Sequence, residues 1–200
     1  DLGCGGGELL RELRAGRPDS ALCGIDASEA QIAENGRREP AVEWRVLDLD
    51  SDAPAPAALR GTFDAVVASE VVEHVARPAS LLRHALELAR PGGRLLLSTQ
   101  SGPVRETERR VGHLRHFEAA EMGRLLSDAG WRPERVWNEG APFHDLAKRL
   151  ANARPDAAMR RFGTGAYGPL ERLVCLALRA AYRLNSRRRG AQLFAQARRP

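Results

Sequence analysis

Cysteine and long apolar runs are scarce in this sequence, and each scarcity excludes a class of protein. The three cysteines, Cys4, Cys23 and Cys175, share no spacing typical of a metal site or a disulfide framework. They are expected to pack in a reducing cytoplasm rather than to crosslink a secreted domain. No stretch reaches the ~18 apolar residues that a membrane-spanning helix needs, and no signal peptide opens the chain. The sequence therefore favours a globular cytoplasmic protein.

Lysine is almost absent, because Lys148 is the single lysine among 31 basic residues. An excess of arginine can follow from genome composition, so we interpret only where the charge lies. Residues 151–200 carry 11 arginines against two acids, Asp156 and Glu171, which gives +9, whereas residues 1–150 carry 20 basic and 24 acidic residues, which gives −4. The basic segment predicts an anionic partner: a substrate, a membrane surface or a nucleic acid. A solvated basic face is the alternative.

The first residues read as the end of a strand, since Asp1-Leu2 leads directly into glycines and no Met precedes them. We interpret the sequence as a piece of a longer protein that lacks most of the first strand. Its 200 residues fit one domain. Within it we expect a ligand-binding core over residues 1–140, and a helical lid with a last strand over residues 141–200.

Strand and helix patterns alternate along the chain. Apolar strands are predicted at residues 21–25, 42–46, 63–68, 94–98, 131–137 and 191–197. One intervening helix opens with a capping box at Ser28 and ends near Gly36, and another is stopped by Pro91-Gly92-Gly93. Repeated strand–helix units with apolar central strands predict a Rossmann-like, doubly wound, mostly parallel α/β sheet with helices on both faces. Ligands of such sheets bind at the carboxyl ends of the strands.

A glycine-rich turn opens the chain, at residues 1–7 (DLGCGGG). Glycines at positions 3, 5 and 7 permit a tight turn and a close approach of a ligand to the backbone. A dinucleotide-binding loop would also need glycine at position 8, which is Glu8. The acidic Asp1 would repel a pyrophosphate but suits a cationic group. A nucleoside with a cationic amino-acid tail therefore fits this turn better than a dinucleotide.

Two further acids follow predicted strands. Asp26 directly follows the strand predicted at residues 21–25, where a carboxylate can accept hydrogen bonds from both hydroxyls of a ribose. An acid just before a helix is also often no more than a cap. Asp48 follows the strand predicted at residues 42–46 and is placed to meet an adenine amino group.

Five segments, in this order, resemble the successive motifs of class I S-adenosylmethionine-dependent methyltransferases: residues 1–7, 24–28, 47–49, 63–75 and 90–97. The resemblance covers about residues 1–137. It implies that the loop with Asp1, Gly3, Gly5 and Gly7 binds S-adenosylmethionine. It further implies that Asp26 holds the ribose, that Asp48 and Leu49 meet the adenine, and that Ser69 lines the methionine end.

Residues 70–75 (EVVEHV) carry the most chemistry outside the glycine loop. If this segment is helical, Glu70, Glu73 and His74 share one face, where they could bind a divalent cation or supply a general base. His113 and His116 could return further imidazoles to the site. The combination resembles ubiquinone-pathway O-methyltransferases and small-RNA 2′-O-methyltransferases, in which related residues bind a metal.

Glu-His-Val after this strand also occurs in metal-free relatives, where it caps and packs. We therefore predict that no metal is needed and that His74, His113 and His116 are the catalytic candidates.

The C-terminal helix carries an apolar stripe at Leu170, Leu173, Val174, Ala177, Leu178 and Ala181. Its other side carries Glu171, Arg172, Arg179 and Arg183, followed by Arg187-Arg188-Arg189. Such a helix could cover the sheet or lid a pocket, or it could lie on an anionic lipid surface beside a hydrophobic substrate. Nucleic acid is disfavoured because the arginines lack interleaved aromatic residues.

The resemblance implies methyl transfer to a small-molecule or lipid-like acceptor. The acceptor is expected over residues 69–74, between residues 113–117 and the C-terminal helices. Aligning the nucleophile and the methyl group at ~3 Å can supply much of the rate, so the lack of a catalytic triad is no objection. Two rivals are a nicotinamide-dependent oxidoreductase, which Asp1 and Glu8 argue against, and a non-catalytic binding domain with the same fold.

Overall fold

The structure is a computed structural model that describes residues 1–162 and 168–200. The described strands are β1 (Cys23–Asp26), β2 (Glu43–Val46), β3 (Phe63–Ser69), β4 (Ala89–Gln100), β5 (Arg132–Glu139) and β6 (Gln192–Arg198). The helices are α1 (Glu8–Gly16), α2 (Glu29–Arg38), α3 (Pro78–Leu88), α4 (Glu106–Arg110), α5 (Ala119–Asp128), α6 (Phe143–Ala153), α7 (Pro155–Phe162) and α8 (Pro169–Tyr182). One 3-10 turn, Ala57–Leu59, precedes β3.

The strands form one section of β1 and β2 and a second section in the order β3-β4-β6-β5. Leu2 joins the sections, because it forms parallel bridges to both Ile25 of β1 and Ala68 of β3. Within the sections β1 is parallel to β2 and β3 is parallel to β4, and β6 runs antiparallel between β4 and β5. The predicted mostly parallel α/β sheet is confirmed, and its last strand is the antiparallel one.

Two apolar clusters hold this sheet to its helices. The larger contains fully buried Leu81, Leu82 and Leu95, together with Phe117 and Trp131. The Trp131 indole N–H donates to the carbonyl oxygen of Leu82 at 3.0 Å, so the ring is satisfied where it is buried.

The smaller cluster contains Leu10 of α1, Ile32 of α2 and the neighbouring Val42 and Cys4. Burial of these periodic apolar faces fixes each helix on the sheet and leaves the loops at the strand ends free for ligands.

Two element boundaries differ from the prediction. Helix α2 continues past Gly36 to Arg38, with its N-cap as predicted, since the Ser28 hydroxyl accepts the Gln31 N–H at 3.3 Å. Helix α3 ends at Leu88, and β4 begins at once, so the Pro91-Gly92-Gly93 run lies inside a strand. Phe63 pairs with Ala89 and Ala65 pairs with Arg94, so residues 90–93 form a bulge without a partner in β3, and the turn signal is expressed within the strand.

Helices α6, α7 and α8, here called the cap, lie between β5 and β6 in the sequence. No residue of α6 or α8 is buried, and α8 packs against α6. The predicted apolar stripe of α8 is divided between a cavity wall and the outer surface. Leu178 and Ala181 line a cavity, but Leu170 and Leu173 are 53% and 64% exposed. Helical spacing predicted the helix, but the face that becomes covered depends on α6.

No helix within the described ranges is both long enough and apolar enough to cross a bilayer. All three cysteines are free.

Candidate active site

The glycine loop bends through left-handed backbone conformations before α1. Gly3, Gly5 and Gly7 have φ values of +68°, +47° and +77°. A Cβ on Gly3 would lie 2.3 Å from Cγ2 of Val71, whereas a Cβ on Gly5 would meet no heavy atom within 4 Å. The loop therefore needs glycine at position 3 for packing, and at position 5 it offers bare backbone to open space.

Asp26, the last residue of β1, holds this loop against that strand. Its Oδ2 accepts the Gly5 N–H at 2.9 Å and its Oδ1 accepts the Ser28 N–H at 2.9 Å. Asn35, which the sequence reasoning did not identify, is 1% exposed and donates from Nδ2 to the Gly5 carbonyl oxygen at 2.7 Å. A carboxylate has about four lone-pair positions, so Asp26 can support the loop and still accept bonds from two ribose hydroxyls.

The other residues predicted for the donor follow neighbouring parallel strands and so lie at one edge of the sheet. The backbone of half-buried Asp1 pairs with Cys23 and Ile25. Asp48 is exposed, and its Oδ1 accepts the Asp50 N–H at 2.9 Å, while the side chain of Leu49 is buried in the larger cluster.

Ser69, at the end of β3, is exposed, and its Oγ lies 2.9 Å from Oγ of Ser98. The residues predicted from the resemblance thus lie on a common edge.

The segment after Ser69 forms turns rather than the conditional helix of the sequence analysis. Glu70 has φ +52°, a left-handed value that is uncommon outside glycine. Its N–H donates to the Ser98 carbonyl oxygen at 3.0 Å, and its carboxylate accepts Ser98 Oγ–H at 2.9 Å and Gln100 Nε2–H at 2.7 Å. Bonds to β4 determine this conformation, and no local sequence signal reports them.

Glu73 is a buried acid in the same segment. Its Oε2 accepts the Thr99 hydroxyl at 2.7 Å, and its Oε1 has no partner. Burial, followed by the nearby negative charge of Glu70, raises the pKa of the Glu73 carboxyl to about 7. The group therefore changes charge near neutral pH.

The three predicted histidines come together. The rings of His74 and His113 pack edge to face at 4.6 Å, and His113 Nδ1 lies 3.0 Å from His116 Nε2. His116 Nδ1 lies 3.0 Å from the Gly102 carbonyl oxygen. Because a carbonyl only accepts, His116 carries its proton on Nδ1, and neutral His113 then donates from Nδ1 and keeps a lone pair on Nε2.

The charged forms of two of these rings are disfavoured. Burial, with His74 and His116 close by, lowers the pKa of His113 to about 4. Burial and then the Lys148 charge lower the pKa of His116. His113 is therefore a neutral imidazole at pH 7.

Glu73, His74 and His113 each bring one ligand atom to within 4.8 Å of the others. Two imidazoles and a carboxylate are a donor set that divalent transition metals accept, and the unpartnered Glu73 Oε1 fits such a use. The carboxylate of Glu70, named with Glu73 and His74 in the sequence analysis, is instead held by Ser98 and Gln100. The geometry thus places His113 in the position expected for Glu70.

A cavity of about 840 Å³ opens beside Glu70 and His113. Its far walls come from the cap and are mostly apolar, with Leu146, Leu150, Met159, Val174, Leu178 and Tyr182 among the lining residues. Its near end is polar and contains Glu70, Gln100, Glu108 and Lys148. The sequence reasoning placed an acceptor in this region but missed the last three residues, of which Lys148 alone carried a signal, as the single lysine.

A family model described as "Methyltransferase domain" matches residues 1–136. A probable S-adenosylmethionine-dependent methyltransferase of Mycolicibacterium smegmatis is 30% identical over 170 residues, which cover 80% of this chain and 63% of the relative. The ubiquinone biosynthesis O-methyltransferase of Pseudomonas aeruginosa is 39% identical over 106 residues, which cover 50% of this chain and 42% of the relative. The chain thus spans less than two thirds of either relative.

Solved structures agree on the fold. An S-adenosylmethionine-dependent methyltransferase from Mesorhizobium loti has a TM-score of 0.62 at 21% identity, with 100% of this chain and 89% of that chain covered. Geranyl diphosphate C-methyltransferase from Streptomyces coelicolor has a TM-score of 0.64 at 17% identity, with 100% and 72% covered. At these identities the likeness concerns fold alone. Taken with the family match over residues 1–136, the chain belongs to the class I S-adenosylmethionine-dependent methyltransferase family.

Proposed function

We propose that this chain carries the active site of a methyltransferase that moves the methyl group of S-adenosylmethionine to a small acceptor with an apolar body. The observation that carries the proposal is the adjacency of two sites. The glycine loop and Asp26 lie at the strand ends, and the apolar cavity of about 840 Å³ begins at Glu70, one residue after Ser69.

The donor is assigned to the edge formed by the glycine loop and the ends of β1, β2 and β3. The bare backbone at Gly5 permits close approach of the nucleoside, and Asp26 accepts bonds from its ribose. Asp1, Asp48, Leu49 and Ser69 are assigned to the remainder of the donor, as the family resemblance implies. Family membership and the common edge of these residues support the assignment.

The acceptor is assigned to the cavity under the cap. Its apolar walls stabilise an apolar body by burial, at roughly 25 cal/mol per Å² removed from water. Its polar end receives the atom to be methylated. The name of the Pseudomonas aeruginosa relative, an O-methyltransferase of ubiquinone biosynthesis, is consistent with a small acceptor, and the substrate-sized cavity is an independent argument for one.

In the proposed reaction an acceptor atom attacks the methyl carbon in line with the departing sulfur. A bond forms between the acceptor and the methyl group, the carbon–sulfur bond breaks, and S-adenosylhomocysteine leaves with both electrons on sulfur. Where the acceptor is a hydroxyl or an amine, its proton must leave. We assign His113 to accept it, because its ring lines the cavity, its Nε2 is free and its low pKa keeps it unprotonated at pH 7; the same low pKa makes it pass the proton on to water. His74 and His116 support it from either side.

A divalent cation held by Glu73, His74 and His113 is a second role for the same residues, favoured by their 4.8 Å grouping. A bound cation would polarise an acceptor oxygen. Titration of the protein with MgCl2 or MnCl2 in a calorimeter tests this role, with Glu73→Gln as the matched variant. Heat of binding that disappears in Glu73→Gln supports a cation site, and no heat with either salt excludes it.

We also propose that α8 rests on an anionic membrane from the cytoplasmic side. Leu173 and Leu176 are 64% and 62% exposed, and exposed arginines flank them from Arg172 to Arg189. Exposed leucines beside arginines complement a lipid surface of opposite charge. Because α8 also lines the cavity, an acceptor with an apolar tail would have a short path from the lipid.

Sedimentation with phosphatidylglycerol-containing and pure phosphatidylcholine vesicles tests the membrane contact. Leu173→Glu with Leu176→Glu should abolish binding to the anionic vesicles, while Val46→Glu, exposed on β2, should retain it. Equal binding to both vesicle types contradicts the proposal, as does an α8-dependent dimer seen by light scattering in place of vesicle binding.

Calorimetry with S-adenosylmethionine tests the methyltransferase assignment. The wild type should bind, Asp26→Ala should lose binding, and Asp64→Ala, a surface aspartate paired with Arg90, should not. Asp26→Asn, which keeps one acceptor for the loop, separates loop collapse from loss of the ribose contact. A folded wild type that binds NADH but not S-adenosylmethionine would favour the oxidoreductase rival. Binding without transfer to any acceptor would favour a non-catalytic domain.

A further inference from the structure

A continuous chain of polar contacts leads from the donor edge of the sheet to the cap. The Ser69 hydroxyl lies 2.9 Å from that of Ser98, and Ser98 Oγ donates to Glu70 Oε1 at 2.9 Å. Gln100 Nε2 donates to Glu70 Oε2 at 2.7 Å. Lys148 Nζ of α6 then donates to Gln100 Oε1 at 3.0 Å. Ser98 and Gln100 are two residues apart on β4, so their side chains share one face of the strand.

The orientation of Gln100 follows from its neighbours. An ammonium group only donates hydrogen bonds, so the amide oxygen of Gln100 faces Lys148 and its NH2 group faces the Glu70 carboxylate. The reverse orientation would place N–H against N–H and oxygen against oxygen. Gln100 is 9% exposed, so both ends of its amide are satisfied within the protein.

Lys148 is anchored on its other side by Glu108. Its ammonium lies 3.2 Å from Glu108 Oε1, with the two side chains 12% and 8% exposed. Burial opposes ionisation of Glu108, but the Lys148 charge and the Arg105 N–H outweigh it and hold the pKa of this carboxyl below its usual value. The only lysine of the chain thus occupies a half-buried position where a compact ammonium, rather than a planar guanidinium, meets both partners.

These polar contacts hold Glu70 in place. Its left-handed backbone, at φ +52°, is held by the bonds to Ser98 and Gln100. Such conformations are strained outside glycine and persist where surrounding contacts over-determine them. Glu70 follows Ser69 directly and also lines the acceptor cavity. Its carboxylate is therefore held at the junction of the two proposed sites.

We propose that Gln100 and Lys148 are positioning residues that set the Glu70 carboxylate to accept a hydrogen bond from a hydroxyl or amine of the acceptor, and that they tie helix α6 to the donor edge. The inference rests on the proposed function, because it takes Ser69 to contact the donor. Its consequence is that a donor bound at Ser69 changes, through Ser98, Glu70 and Gln100, the surroundings of the Lys148 ammonium.

The single lysine makes this consequence measurable. Protein labelled with ¹³C and ¹⁵N in lysine alone gives one lysine side-chain signal in NMR spectra, that of Lys148. The probe ligands are S-adenosylmethionine and S-adenosylhomocysteine. In the wild type, saturation with either should shift this signal.

Gln100→Met keeps the length of the side chain but can neither donate to Glu70 nor accept from Lys148. This variant should bind S-adenosylmethionine within about threefold of the wild type and yet lose the shift. Glu70→Gln should also lose it. Arg149→Met is the control. Arg149 follows Lys148, and its exposed side chain has no hydrogen-bond partner in the described structure. This variant should keep the full shift.

An unmoved Lys148 signal in a wild type that binds the donor by calorimetry would overturn the positioning chain and leave the methyltransferase assignment intact. A full shift in Gln100→Met would also overturn it. Absence of donor binding to the wild type would overturn the proposed function, and this inference with it. Matching circular dichroism spectra of the variants exclude misfolding as the cause.

Discussion

Leucines at helical spacing occur in both α3 and α8, but only those of α3 are buried in the core. In α3, Leu81 and Leu82 are 0% exposed and pack into the main core, whereas in α8, Leu173 and Leu176 are more than 60% exposed. The contrast holds for whole regions, since the sheet and its helices bury complete side chains while α6 and α8 bury none. Apolar periodicity therefore marks a helix, and the partner of that helix determines whether its leucines stabilise the fold.

The two regions also divide the chemistry. Donor contacts are assigned to loops that a buried sheet holds in place, and most of the acceptor wall is assigned to the loosely packed cap. A site whose rigid half binds a constant cofactor and whose cap selects the variable partner can change specificity with little cost to the fold.

The largest expected difference between the regions is in stability. Leu82→Ala should lower the free energy of unfolding by about 2–5 kcal/mol, because it leaves a cavity in a packed core. Leu173→Ala should change it by no more than about 0.5 kcal/mol, because that side chain is already in water. Urea unfolding followed by circular dichroism measures both values. Similar losses in the two variants would show that α8 is covered in solution.

Within the donor half, the two glycines with different surroundings should respond differently. Gly3→Ala combines a left-handed backbone with a clash against Val71, so it should cost about 1–3 kcal/mol and weaken donor binding. Gly5→Ala, which adds a methyl group to open space, should cost about 1 kcal/mol. Chemical denaturation and donor calorimetry give both effects. Val71→Ala should relieve part of the Gly3→Ala loss, and no relief would mean that the backbone strain dominates.

A substitution in the cap should weaken binding in the cavity and leave binding of the donor unchanged. Leu178→Trp fills the cavity from α8 and should weaken binding of the fluorescent apolar probe 1-anilinonaphthalene-8-sulfonate about tenfold, or 1.4 kcal/mol. S-adenosylmethionine affinity should not change. Leu176→Trp, on the outer side of the same helix, is the control and should leave probe binding as in the wild type. Equal effects of both tryptophans would place the probe outside the cavity.

The smallest effect is a pH dependence in the core. Burial lowers the pKa of His84 from its model-peptide value of 6.5 and outweighs the contact of its Nε2 with the Ser51 carbonyl oxygen, which raises it; its Nδ1 has no partner. The stabilising contribution of the neutral ring is complete above pH 6.5 and is lost as pH falls through the lower folded-state pKa. His84→Leu should therefore lose less stability than the wild type between pH 7 and pH 5. Parallel losses in thermal unfolding would contradict this.

The sheet and the donor loop could be predicted because their signals are local. Apolar runs gave the strands, glycine spacing gave the turn before α1, and Asp26 was found at a strand end. The sequence also predicted that His113 and His116 join His74 in one site, although the spacing of the three residues gives no distance between their rings.

What could not be predicted depends on contacts between distant residues. The conformation of Glu70 is set by Ser98 and Gln100 on another strand, so the helical pattern of residues 70–74 was misleading. Lys148 and Glu108 meet only because α6 folds over α4, and neither belongs to a recognisable motif. The covered side of α8 could not be predicted, because a helix with two apolar sides has no sequence signal for which side is covered.

The antiparallel pairing of β5 with β6 has a consequence for how this protein can be altered. These neighbours in the sheet are separated in the chain by the entire cap, so the cap is topologically a loop. Closing a flexible loop costs only about 0.6 kcal/mol more for each doubling of its length. The cap can therefore be lengthened, shortened or exchanged for another helical segment while the two strands still find each other, so an enzyme of this architecture can acquire a new acceptor by replacing one insertion.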